Sequence, residues 1–104
     1  MGHIRTASRV DRNQPQIVSA LRQIGCSVLH LHQLKNCFDI LVGYRGRTFL
    51  MEIKATTADK LTEGEAAFQA TWRGSTYHVV YTVDQALKIV TSPPERFTCP
   101  TCQP

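Results

Sequence analysis

The sequence predicts an α/β domain in which helices flank a mixed β-sheet, with the element order α-β-β-β-α-β-α. Apolar residues repeat with helical spacing in three segments, and four short runs rich in β-branched and aromatic residues lie between or beside those segments. Such a chain forms a sheet with helices on its faces. A length of 104 residues is sufficient for one core of this kind.

The three predicted helices have recognisable boundary signals. They cover residues 13–24, residues 62 to about 72, and about residues 83–90. Asn13 is the expected N-cap of the first helix, and Gly25 is placed to end it. The other two helices each begin with the spacing of a capping box, Thr62 with Glu65 and Thr82 with Gln85.

Four runs are predicted to be strands, at residues 27–31, 38–44, 48–54 and 77–82. A tight basic turn around Gly46 separates the second run from the third, so these two are expected to pair as a hairpin. Both runs are apolar on both faces, which favours central positions in a sheet that is covered on each side.

The composition changes towards both ends of the chain. Residues 1–10 are expected to form a flexible basic arm, residues 11–90 a single domain, and residues 91–104 a tail rich in Pro, Ser and Thr. The formal net charge of +4 favours a polyanionic partner. No apolar run reaches the length that a membrane helix needs, and no secretory signal is recognisable, so a cytoplasmic location is expected.

Three charged residues interrupt the two central strands. Asp39 is the only charged residue in FDILVGY, and Glu52 and Lys54 are the only ones in TFLMEIK. Side chains alternate along a strand, so Glu52 and Lys54 point to one face, and hairpin pairing puts Asp39 opposite Glu52 or its immediate neighbour. The alternative is a Glu–Lys pair on a solvated strand face, with the aspartate at a strand end.

Two carboxylates that converge on an apolar surface repel each other and stay ionised only if a cation lies between them. Oxygen-only ligands suit Mg²⁺ or Mn²⁺. Such a metal would hold a scissile phosphate and lower the pKa of a water. The lysine would orient that water or neutralise the charge that develops on the phosphate.

The pattern D-I-L-V-G, a short basic turn, F-L-M-E-I-K, then L-T and an acidic helix resembles the PD-(D/E)xK nuclease superfamily. More narrowly, it is similar to the small stand-alone VRR-NUC-like nucleases common in phage genomes, over about residues 10–87. The resemblance implies a restriction-endonuclease-like core in which Asp39, Glu52 and the carbonyl of Ile53 bind the metal and Lys54 assists catalysis. It also implies a homodimeric, structure-selective DNA endonuclease that prefers branched or junction DNA, in the host cytoplasm if phage-encoded.

The sequence departs from the family pattern at two places. Phe38 stands where the family usually has a proline before the aspartate. Many members carry an acid on the first helix, where this chain offers Gln14 and Gln16 as assisting residues without charge. Gln69 on the second helix is a further assisting candidate. These glutamines support the alternative function, a nuclease-fold module that binds nucleic acid or a protein partner without cutting.

Further candidate residues lie outside the pattern formed by Asp39, Glu52 and Lys54. Possible DNA contacts, each with a structural or solvated alternative, are Arg12, His30, His32, Arg45, Arg47 and Lys60, with the two arginines expected at a turn beside the site. Cys99 and Cys102 have zinc-ligand spacing but supply only half a ligand set, so zinc is not expected there. Phe68 and Trp72, one helical turn apart, are expected in the core.

Overall fold

In the computed structural model of the protein, the described residues are 12–31, 34 and 36–94. The elements follow the predicted order and confirm the α/β class: α1 (Gln14–Gln23), β1 (Ser27–His30), β2 (Ile40–Tyr44), β3 (Arg47–Ile53), α2 (Glu63–Thr71), β4 (Tyr77–Val80) and α3 (Val83–Thr91). The predicted arm at residues 1–10, His32, and the tail beyond residue 94 with Cys99 and Cys102 lie outside the described residues.

The four strands form one mixed sheet in the order β1-β2-β3-β4. The pairs β1–β2 and β2–β3 are antiparallel, and β4 pairs parallel with β3. A parallel partner needs a crossover connection, and α2 provides it. The predicted central strands β2 and β3 therefore occupy the middle of the sheet.

The hairpin between β2 and β3 closes through a two-residue loop. Tyr44 pairs with Arg47, which leaves Arg45 and Gly46 as the loop residues, with φ of 53° and 79°. Two consecutive positive φ values are characteristic of a type I′ turn, whose twist suits a hairpin. Arg47 is thus the first residue of β3.

The two faces of the sheet are covered differently. Helices α1 and α3 pack on one face and enclose the main core, which includes Ile17, Leu21, Ile40, Met51, Val80 and Val90. Leu50 and Glu52 are also buried but alternate onto the other face, which α2 covers. No residue of α2 is fully buried. Both predicted capping boxes are present, at the starts of α2 and α3.

The expectation that Phe68 and Trp72 lie in the core is wrong. Phe68 is half-buried and Trp72 keeps 40% of its surface exposed. The reason is the position of α2, which lies over the face that carries Glu52, whereas the main core is enclosed on the opposite face. The two rings instead stack on each other, with their centroids 5.3 Å apart.

Asn13 does not cap α1 with its side chain, contrary to expectation. Its amide nitrogen donates instead to the carbonyl oxygen of Lys54 at 3.0 Å and to that of Tyr81 at 2.8 Å. Lys54 directly follows β3, and Tyr81 directly follows β4. Asn13 therefore joins the start of α1 to the carboxyl ends of two neighbouring strands.

Asn13→Ala is expected to destabilise the fold by about 1–3 kcal/mol, because two carbonyl groups lose their donor in a part-buried place. Urea unfolding monitored by circular dichroism measures the change. The control is Gln16→Ala at an exposed position of the same helix, where about 0.5 kcal/mol or less is expected. Equal stabilities for the two variants would contradict this role of Asn13.

Candidate active site at the end of the central hairpin

The backbone holds Asp39 beside β3 at the end of the hairpin. The amide of Asp39 donates to the carbonyl oxygen of Met51 at 3.1 Å, which continues the β2–β3 ladder one residue beyond Ile40. The amide of Ile53 then donates to Asp39 Oδ2 at 2.7 Å. The Asp39 carboxylate therefore accepts the hydrogen bond that a backbone carbonyl would accept in a longer ladder. It lies against the backbone of Ile53, between Glu52 and Lys54.

Glu52 is a buried acid in an acidic neighbourhood. The residue is 2% exposed, on the face covered by α2. Burial, together with the nearby carboxyl groups of Asp39 and Glu65, raises the pKa of Glu52 to about 9, although the charge of Lys54 acts in the opposite direction. In the absence of a further cation, this side chain holds a proton at neutral pH.

Lys54 is the cation of the cluster. Its Nζ lies 2.9 Å from Glu65 Oε1 and 3.4 Å from Glu52 Oε2. Burial alone would lower the pKa of Lys54, but the hydrogen bond to Glu65 and the charge of Glu52 outweigh it, and the pKa is raised. The ammonium group is therefore charged and held in place between two carboxyl groups.

Glu65, which the sequence predicts only as part of a helix cap, also belongs to the site. Its Oε1 accepts from the Thr62 amide at 2.9 Å as well as from Lys54 Nζ. These two donors lower the pKa of Glu65 despite its partial burial. A Cβ at Gly64 would clash with the side chain of Asn36, so glycine permits the close approach that seats this turn of α2. The sequence signal for this role was that Glu65 is the third residue of α2, the helix that follows β3 in the chain.

Tyr77 is the second site residue that the sequence did not predict. Its hydroxyl group donates to the carbonyl oxygen of Cys37 at 3.1 Å and lies 3.5 Å from Glu52 Oε1. Burial, followed by the charge of Glu52, raises the pKa of the phenol, so it remains a donor. Tyr77 pairs with Leu50 in the parallel ladder, and strand alternation from that pair puts it on the face of Glu52.

The donor set fits a hard divalent cation with few protein ligands. Among the described residues, no group of three or more His, Cys, Asp or Glu is placed to hold a metal ion. Mg²⁺, however, is usually bound through one or two carboxylates and keeps several waters. Asp39 and Glu52 supply two such carboxylates, and a cation between them would favour the ionised form of Glu52. Ile53 directs its amide to Asp39; the role expected of its carbonyl stays a prediction.

Gln14 lies on the opposite face of the sheet from Glu52. Gln14 is buried at 1% exposure, and its Nε2 lies 3.4 Å from Nδ1 of His30. His30 pairs with Ile40 and shares the face covered by α1, opposite to that of Glu52. The other assisting and DNA-binding candidates in α1, α2 and the neighbouring loops are exposed: Arg12, Gln16, Lys60 and Gln69.

The expected position of Arg45 and Arg47 beside the site is wrong. Both lie at the turn end of the hairpin, whereas Glu52 lies near the other end of β3. The guanidinium carbon Cζ of Arg45 lies 5.2 Å from the centroid of the Tyr44 ring. That of Arg47 lies 4.8 Å from the centroid of the Phe49 ring. Because the turn has only two residues, β3 begins at Arg47 and its length separates the arginines from the carboxylates.

Within the part of the chain that the structure describes, no helix has the length and apolar character to cross a membrane.

Comparison of the chain with protein-family models, with curated proteins and with solved structures finds no significant match in any of the three. A functional proposal therefore rests on the geometry of Asp39, Glu52 and Lys54.

Proposed function

We propose that the protein is a divalent-metal-dependent DNA endonuclease that hydrolyses phosphodiester bonds at the end of the β2–β3 hairpin. The observation that carries this proposal is the convergence of Asp39, buried Glu52 and the ion-paired Lys54. Strongly raised carboxyl pKa values cluster at functional sites, and burial with the neighbouring Asp39 raises the pKa of Glu52 to about 9. The net charge of +4 suits a polyanionic substrate.

Each residue has a separate role in this proposal. Asp39 and Glu52 provide the oxygen ligands, and the amide of Ile53 fixes the Asp39 carboxylate. Lys54 offers a positive charge where negative charge develops on the phosphate, and Glu65 holds its ammonium group. When bound, the metal would supply Lewis-acid activation of water and phosphate.

We also propose a homodimeric state and a branched DNA substrate. The described residues of one chain carry one such site, so cutting both strands of a duplex at once requires two copies, and a homodimer provides them. Branched or junction DNA is the substrate that we propose, with activity in the cytoplasm. Sedimentation of the protein with and without a four-way junction tests the dimer.

Metal dependence tests the activity. The protein is expected to nick supercoiled DNA with Mg²⁺ at millimolar concentration and faster with Mn²⁺, and to bind without cutting in Ca²⁺, whose larger shell positions water less well. Excess chelator should stop cleavage, whereas a zinc-selective chelator should not. Nicking that persists in excess EDTA would contradict the metal-dependent mechanism.

A second candidate function is nucleic-acid binding without cleavage. The position of Gln14 favours it, because the first helix contributes no acid and its buried glutamine contacts His30 on the other face of the sheet. Specific DNA binding without cleavage under every metal condition would support this candidate.

DNA affinity is expected to fall steeply with salt, since each neutralised phosphate releases about 0.9 counterions. Arg45→Asn should flatten the slope of log affinity against log salt by about one unit if the turn contacts a phosphate. Asparagine accepts the positive φ of this position, so the charge is removed without straining the turn. Arg45→Lys is the matched control that keeps the charge. An unchanged slope for Arg45→Asn would remove this turn from the DNA path.

A further inference from the structure

An aromatic cluster connects the exposed surface of α2 to the candidate active site. The rings of Phe68 and Trp72 are stacked, with an interplanar angle of 18° and centroids 5.3 Å apart. The ring centroids of Phe68 and Tyr77 lie 5.9 Å apart, and the hydroxyl oxygen of Tyr77 lies 3.5 Å from Glu52 Oε1. The cluster therefore runs continuously from a buried acid to a surface ring.

Trp72 is exposed and yet fixed in orientation. It keeps 40% of its surface exposed, while its Nε1 donates to the carbonyl oxygen of Ser75 at 2.7 Å. A Cβ at Gly74 would clash with the indole ring, so the chain after α2 packs closely against it. An exposed ring that is already ordered loses little conformational freedom when a flat ligand stacks on it.

We infer that Trp72, supported by Phe68, is a stacking platform for an unpaired nucleobase of single-stranded DNA next to the cleavage site. Two observations favour a nucleobase as the occupant. The platform is continuous with the proposed phosphodiester site, and Arg73, a positively charged and exposed residue, directly follows Trp72 in the chain. Stacking on an aromatic ring tolerates every base, because each base has a π-face. A fully paired duplex does not offer such a face within its stack.

This inference rests on the proposed function for its substrate, but binding tests it without cleavage. Trp72 is the single tryptophan of the chain, so its fluorescence reports contact at this ring. In EDTA, the full-length protein is titrated with a short oligothymidylate, with an abasic strand of the same length, and with a blunt duplex. We expect oligothymidylate to quench the fluorescence and the abasic strand and duplex to leave it almost unchanged.

Variants at the ring separate stacking from charge. Trp72→Ala should weaken oligothymidylate binding, followed by the anisotropy of a labelled strand, by about tenfold, and should change duplex affinity less than about twofold. Trp72→Phe keeps an aromatic face and should retain most of the affinity, which separates stacking from a general loss of structure. Equal binding of abasic strand and oligothymidylate, no binding of either, or wild-type affinity in Trp72→Ala would overturn the inference.

The two proposals fail in different ways. Base-dependent quenching without hydrolysis under any metal would reject the endonuclease but keep the platform. Metal-dependent hydrolysis with no base-dependent quenching would reject the platform alone.

Discussion

Glu52→Gln is expected to abolish metal-dependent cleavage and, in the same protein, to raise the melting temperature measured in EDTA. Glutamine has nearly the shape of glutamate but cannot provide an anionic oxygen to a cation. It also removes the repulsion from Asp39 and the cost of burying an acid. Each kcal/mol gained should raise the melting temperature of a domain of this size by about 4–8 °C.

The stabilisation by Glu52→Gln should depend on pH in a definite direction. The pKa of Glu52 is about 9 in the folded chain against an ordinary value of 4.5, so the folded state binds the proton more tightly than the unfolded state. Wild-type stability therefore falls as pH rises through this window. The difference between variant and wild type should be small near pH 4.5 and increase towards pH 9.

The control for Glu52→Gln is Glu63→Gln, which changes an exposed acid at the start of α2. It should leave cleavage and melting temperature near those of the wild type. Calorimetry across pH and a nicking assay provide both measurements. Cleavage at a wild-type rate by Glu52→Gln would remove this residue from the site.

Lys54→Ala is expected to reduce the cleavage rate at saturating metal by about 10²–10³, the cost of losing one preorganised electrostatic group. The variant also removes a positive charge that competes with a metal ion for Glu52, so a lower metal concentration should be needed to saturate it. Single-turnover rates across a metal titration separate the two effects.

Two further variants qualify the result for Lys54. Glu65→Gln should lower the rate less than Lys54→Ala, because it loosens the ammonium group without removing it. Lys88→Ala, at an exposed position of α3, is the control and should cut like the wild type. An unchanged rate for Lys54→Ala would leave Lys54 with a structural role only.

The sequence was sufficient to predict the fold because its local signals agree with one another. The hairpin followed from two apolar strands around Gly46, and their centrality from apolar residues on both faces. The alternation of β3 also put Glu52 and Lys54 on one face, and hairpin pairing put Asp39 opposite Glu52 or its immediate neighbour. These features depend on short-range periodicity, which a single sequence records.

The parts that the sequence did not reveal depend on contacts between distant segments. Asparagine is a residue type that commonly caps helices, so the sequence predicts that role for Asn13. Only the packing of α1 against the strand ends shows that its side chain binds two carbonyl groups. Glu65 and Tyr77 join the site through the placement of α2 and β4, which local patterns do not specify. Trp72 looked like a core residue because helical spacing does not show how closely a helix packs.

The most direct test of the proposed metal site measures cleavage of linear, flapped and four-way DNA by the wild type and by Asp39→Asn, each in Mn²⁺. Asparagine retains an oxygen that can accept the amide of Ile53 but removes the negative charge. We expect cleavage of at least one branched substrate by the wild type and none by Asp39→Asn, with both proteins folded. Equal cleavage by the two proteins, or none by the wild type on any substrate, would contradict the proposal that Asp39 and Glu52 form a metal-dependent nuclease site.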